Sequence, residues 1–167
     1  MSGASVPPDF ASYVAARRQH LRRTAYLLCG DWDRAEDVVQ DALTRLYVHW
    51  RRAARADDLD AYVRRSLVNA FLAEGRRPWR RERSVDELPV TAYADPAGAA
   101  DDRDKLRRAL AGLGASQRAV VVLRYWDDLT VEQTADALGC STGNVKSQAA
   151  RGLARLREVL TDPEVAR

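Results

Sequence analysis

The sequence predicts an all-α protein made of two small helical domains joined by a flexible acidic linker. Three observations carry that expectation. Apolar residues recur at helical spacing over most of the 167 residues, and no run alternates with the period of two that a half-buried strand needs. Cap residues and glycines fall where helix ends require them. Charge then divides the chain into a basic stretch of net +5 over residues 9–83, an acidic one of net −5 over 84–102, and a second basic one of net +3 over 103–167.

Residues 1–8 show no periodicity and are expected to be a disordered lead-in. Asp9 caps a first helix whose inner face is Phe10, Tyr13, Val14, Leu21, Ala25 and Leu28, ending near Gly30. Asp31 caps a second, with the stripe Trp32, Ala35, Val38, Val39, Ala42, Leu43, Leu46 and Trp50. The charged break RRAARADD follows. A third helix begins near Asp58, turns Leu59, Tyr62, Val63, Leu67, Ala70 and Phe71 inward, and runs into Gly75 and the arginine run RRPWRRER. Residues 84–102 hold five acids, no cation, two prolines and Gly98, the composition of a linker.

The second domain covers residues 103–161, with 162–167 as a tail. Leu106, Ala109, Leu110 and Leu113 mark a short helix. Ser116 caps another that offers Val120, Val121, Leu123 and Tyr125 to the core. Thr130 and Gln133 form a capping box for a helix over Val131–Leu138, and Gly139 supplies the positive φ of its end. Ser141 caps a longer helix whose apolar stripe is Val145, Ala149, Leu153, Leu156 and Leu160. Asn144, Ser147, Ala150 and Arg151 fall roughly opposite, with Lys146 at the edge. Short or polar outward residues, hydroxyls and amides for base edges, and cations for phosphate suit a helix end that enters a major groove. A solvated helix pair in an ordinary bundle would give the same pattern.

Two further constellations stand out. Asp37, Gln40 and Asp41 share one face of the second helix, which suits docking onto a cationic protein surface; acids near a helix start also simply favour its dipole. Arg64, Arg65, Asn69, Arg76, Arg77, Arg80, Arg81 and Arg83 form a basic strip with Trp79 set in it, suited to phosphates and unpaired bases; a solvated arginine face would show the same pattern. An acidic linker would be repelled by DNA and could instead occupy a cationic channel in a partner; a plain solubilising linker would have the same composition.

Other classes are excluded by absence. The two cysteines, Cys29 and Cys140, are far apart, so neither a disulfide framework nor a zinc site is expected. His20 and His49 have no ligand-like neighbours and read as ordinary helix residues. No apolar run approaches a membrane span, and MSGASVPPD is no signal peptide. A cytoplasmic protein without cofactor, metal or catalytic carboxylate pair is the expectation.

These pieces in this order resemble a bacterial RNA polymerase sigma factor of the extracytoplasmic-function group. AEDVVQDALTRLY, DAYVRRSLVNAFLAEGRR and LTVEQTADALGCSTGNVKSQAARGLARLR carry the resemblance, and the last two are most similar to the actinobacterial SigE-family subset. The likeness runs from about Asp9 to Leu160. It implies that residues 9–83 are region 2 and residues 103–161 region 4. It implies no enzyme, and core polymerase (β′ clamp helices and β flap) and promoter DNA as partners, with an anti-sigma factor a further candidate and the free protein a monomer. Asp37, Gln40 and Asp41 would grip the clamp helices. Asn69 would meet the −10 strand where a base is flipped, with Arg64, Arg65, Arg76 and Arg77 on adjacent phosphates. Asn144, Lys146, Ser147, Ala150 and Arg151 would face the −35 major groove. Tyr62, Ala73 and Gln148 depart from the residues many relatives carry. The alternative is a free-standing helix-turn-helix regulator that binds an operator without polymerase; a purely protein-binding adaptor would leave the arginine strip idle.

Overall fold

A computed structural model describes residues 9–74 and 99–162, and every regular element among them is helical. The expected lead-in, most of the linker, the arginine run after Glu74 and the final residues lie outside the described part.

Helix α1 (Phe10–Cys29) opens on Asp9, whose carboxylate accepts from the Ser12 N–H at 2.6 Å. It closes on Gly30, whose φ of +74° suits glycine and whose N–H reaches the Tyr26 carbonyl. Asp31 at once caps α2 (Trp32–Val48) by accepting from the Asp33 and Arg34 N–H groups. The charged break carries a single helical turn, α3 (Trp50–Ala53), before α4 (Leu59–Glu74). Helix α2 packs against both α1 and α4. Leu28, Val38, Leu46, Val63 and Leu67 are all but sealed between them. Each such burial contributes about 1.5–3 kcal/mol.

The second group comprises α5 (Ala99–Ala111), α6 (Ala115–Val121), a π-helical turn (Val122–Trp126), α7 (Val131–Leu138) and α8 (Thr142–Thr161). Several details differ from the sequence reading. Helix α5 begins at Ala99, inside the stretch assigned to the linker. Asp101 and Asp102 therefore occupy its first turn, where the helix dipole favours acids. Gly114, not Ser116, precedes α6. Tyr125, expected in the core, is 54% exposed. The π turn explains this: the Asp127 N–H bonds the Val122 carbonyl five residues back, shifting the register so that Val122 and Leu123 are buried and Tyr125 turns outward. Leu106 and Leu160, also expected to face inward, are exposed.

The two groups share one apolar core, with Leu28, Phe71, Leu110, Leu123, Ala137 and Leu156 among its members. Helix α7 packs on α4, and α1 meets α5, α6 and the π turn. Polar contacts join them as well. The Arg118 guanidinium donates to the Leu28 carbonyl at 2.7 Å, to Leu110 at 2.8 Å and to Leu113 at 2.9 Å, and lies over the Phe71 ring. One cation thus serves the carbonyl-rich ends of α1 and α5. Burial lowers the pKa of Arg118, but a guanidinium stays charged. His20, read from sequence as an ordinary helix residue, bonds Asp127 across the groups at 2.9 Å.

Candidate functional site

Three helix faces carry the candidate residues, and each is set by what lies buried behind it. In α2, burial of Ala35, Val38, Val39, Ala42, Leu43 and Leu46 turns Asp37, Gln40 and Asp41 together into solvent. Asp41 pairs with Arg45 one turn on, at 3.4 Å and well exposed, a contact worth at most about 0.5 kcal/mol. The face continues into Tyr47 and Val48, 67% and 68% exposed. Phe10 packs edge-on against Tyr47 at 5.3 Å. Sequence reasoning passed over this apolar end, although two apolar residues following Leu46 off the buried stripe are the signal for it.

In α4, Val63, Leu67, Val68, Ala70 and Phe71 are buried. Arg65 and Asn69 are exposed one turn apart on a common face, and Arg64 is half-buried beside them. Arg76 and Arg77 lie outside the described residues, as do Trp79 and the remaining arginines of the strip.

The α7–α8 pair is fixed by its caps. Thr130 accepts from the Gln133 N–H while the Gln133 side chain accepts from the Thr130 N–H. Gly139 takes φ +65°, and the Ser141 hydroxyl accepts from the Asn144 N–H at 3.1 Å. Val145, Ala149, Gly152 and Leu156 face inward. Asn144, Lys146, Ser147, Ala150 and Arg151 are all exposed. The structure therefore gathers these five on the outer face of the first turns of α8. Gly152 matters to that placement: a Cβ there would stand 2.7 Å from a Val121 methyl, so its absence lets α8 close on α6. The sequence reading gave Gly152 no role.

Electrostatically the faces differ in sign. The α2 face carries Asp37 and Asp41; the α4 and α8 faces carry Arg65 and Lys146 with Arg151. No group of three or more His, Cys, Asp or Glu among the described residues is placed to hold a metal ion, and no described helix is long and apolar enough to cross a membrane.

Comparison with known proteins places the chain in a family. The family model for Sigma-70 region 2 matches residues 13–81, and that for Sigma-70, region 4 matches residues 103–156. The RNA polymerase sigma-E factor of Streptomyces avermitilis is 41% identical over 91% of this chain and 85% of its own length. That of Streptomyces coelicolor is 40% identical over 91% and 86%. Among solved structures, the sigma factor RpoE from Bartonella quintana, in complex with the anti-sigma factor NepR, is 29% identical with a TM-score of 0.77, over 93% of this chain and 98% of that one. CnrH, solved with the cytosolic domain of CnrY, shares the fold at 21% identity, with a TM-score of 0.61 over 93% and 92% of the two chains. The chain belongs to the extracytoplasmic-function group of sigma-70 RNA polymerase sigma factors, subunits that join core polymerase and direct it to promoters.

Proposed function

We propose that the three exposed faces divide the work of initiation. The face of Asp37, Gln40 and Asp41 docks on the β′ clamp helices. Asn69, with Arg64, Arg65, Arg76 and Arg77, holds the melted −10 strand. Asn144, Lys146, Ser147, Ala150 and Arg151 read the −35 duplex, and residues 103–161 also meet the β flap. Residues 9–83 and 103–161 act as the two binding modules, and 84–98 serve as the acidic connection between them. The protein contributes binding and no bond-breaking chemistry, works in the cytoplasm, and is a monomer when free.

The observation that carries this reading is the match between charge and exposure. On each helix the buried stripe leaves outward the side chains that suit its target: carboxylates for a cationic clamp, cations and amides for DNA. Capturing an unstacked base costs a few kcal/mol, least at weakly paired steps, and the modest aromatic content near α3 and α4 implies strict promoter requirements. The sigma factor RpoE of like fold was solved with the anti-sigma factor NepR, which supports such an inhibitor as a further partner here.

Co-elution with core polymerase tests the assignment, wild type beside Asp41→Arg. Binding by the wild type and its loss in the variant supports the clamp contact. Equal retention of both proteins would remove it.

A further inference from the structure

We propose that Tyr13 and Arg17 of α1 are positioning residues for capture of the −10 strand: they hold the Asp60 carboxylate on α1 and so keep it off Arg64, the first cation of the strand-binding face. This role presupposes the assignment of α4 to the −10 strand made above.

The start of α4 carries more acid than its cap requires. Asp58 meets the cap, its carboxylate accepting from the Ala61 N–H at 2.9 Å. Asp60 sits in the first turn, where the helix dipole welcomes an acid, and it is the one acid of α4 ahead of Glu74. Arg64 follows four residues later on the same side of the helix, a spacing at which an aspartate and an arginine ordinarily pair. Here they do not. The Tyr13 hydroxyl donates to Asp60 Oδ1 at 2.8 Å, and Arg17 Nε stands 3.2 Å from the same oxygen. Among the described residues no ion pair reaches Arg64.

The clasp is built from packing already described. Tyr13 and Arg17 are one turn apart on α1, so both reach Asp60 from one face. The Tyr13 ring is 3% exposed and lies against Trp50, with centroids 6.2 Å apart; Phe10 packs edge-on against the same Trp50 at 5.7 Å. The phenol is therefore aimed before Asp60 meets it. Burial, and next the bond to Asp60, push its pKa well above the ordinary range, so it stays a donor. A charge-assisted bond from a buried donor is stronger than an exposed ion pair between neighbours on one helix, and the carboxylate stays with α1. The consequence is electrostatic. A carboxylate that swung to Arg64 would occupy the cation a phosphate needs and would bring a like charge to the strand. With Asp60 held away, Arg64, Arg65 and Asn69 present cations and an amide with no acid among them.

The test uses holoenzyme assembled from core polymerase and the full chain. The probe is a fluorescent single strand carrying the −10 region of a promoter selected from genomic fragments, and binding is followed by anisotropy at several salt concentrations. Tyr13→Phe/Arg17→Gln opens the clasp and keeps the aromatic ring. It should weaken binding about fivefold at about 0.1 M salt and lower the slope of log affinity against log salt by about 0.7, the share of one phosphate contact on a single strand. Adding Asp60→Asn should restore both, because no acid is then left to reach Arg64. Arg64→Ala should cost as much as opening the clasp, and the two changes together no more than either alone. Should the opened variant lose helical dichroism, Asp60→Asn alone decides: wild-type or tighter binding supports the proposal, and weaker binding overturns it. Wild-type affinity and slope in the opened variant, with Arg64→Ala weakened, overturn the proposal and leave the −10 assignment standing. A loss that Asp60→Asn does not restore overturns it too, since the clasp then acts by joining α1 to α4 or through Arg17 itself. Wild-type binding by Arg64→Ala, Arg65→Ala and Asn69→Ala alike overturns the −10 assignment and the proposal with it.

Discussion

Thr24 and Asp127 stand 103 positions apart in sequence, yet the threonine hydroxyl donates to the aspartate at 3.1 Å inside an almost sealed contact. Thr24→Val keeps the shape and removes both roles of that hydroxyl. Asp127 would be left with His20, and the Trp126 N–H without its acceptor. A loss of about 1–3 kcal/mol is expected. Urea denaturation followed by circular dichroism measures it; an unchanged midpoint would show that Thr24 does not hold the two groups together.

The approach of α8 to α6 depends on a missing side chain. Gly152→Ala would place a Cβ 2.7 Å from the Val121 methyl. Overpacking of this kind typically costs about 1–3 kcal/mol, against a gain of up to ~1 kcal/mol from alanine's better helix propensity. A net destabilisation is expected. Val121→Ala in the same chain should return part of it, and the double-mutant cycle should give a coupling of at least about 0.5 kcal/mol. Additive losses would mean that the two positions do not meet.

Much of this fold was legible because local signals agree. The caps at Asp9, Asp31, Thr130 and Ser141 and the glycine ends at Gly30 and Gly139 all stand where the spacing puts them. The outward faces of α2, α4 and α8 were legible for the same reason: a buried stripe at helical period leaves only one set of residues outside. What the sequence concealed depends on contacts between distant segments. His20 looked ordinary because its partner is 107 residues away. Tyr125 looked like core because nothing in a pattern of period 3.6 announces a π turn. Gly152 had no visible role because the Val121 methyl that requires it lies in another helix.

Cys29 and Cys140 should differ sharply in reactivity. Burial, the largest effect, pushes the Cys29 thiol up to about 12 from an ordinary 9.0, with nearby Arg34 opposing it. The folded value lies above the unfolded one. Cys29 therefore adds stability that is complete below pH 9 and is lost as pH rises toward 12. At pH 8 a thiol reagent should titrate one cysteine in the native protein and two in denaturant. Two fast native thiols would mean that the end of α1 opens readily.

Lys146 and Arg151 project from the first turns of α8, and both are exposed, so a DNA duplex can reach them without rearrangement of the fold. Each phosphate contact removed should lower the slope of log affinity against log salt by about 0.9. Lys146→Ala and Arg151→Ala are therefore expected to weaken binding across duplex sequences and flatten that slope. Arg52→Ala, the same charge loss on exposed α3, should leave both unchanged. Asn144→Ala and Ser147→Ala should instead alter which duplex is preferred, by about 1–3 kcal/mol where a base edge is lost. The two classes separate cleanly by fluorescence anisotropy at several salt concentrations. Wild-type affinity and slope in both cation variants would show that this face of α8 does not lie on DNA.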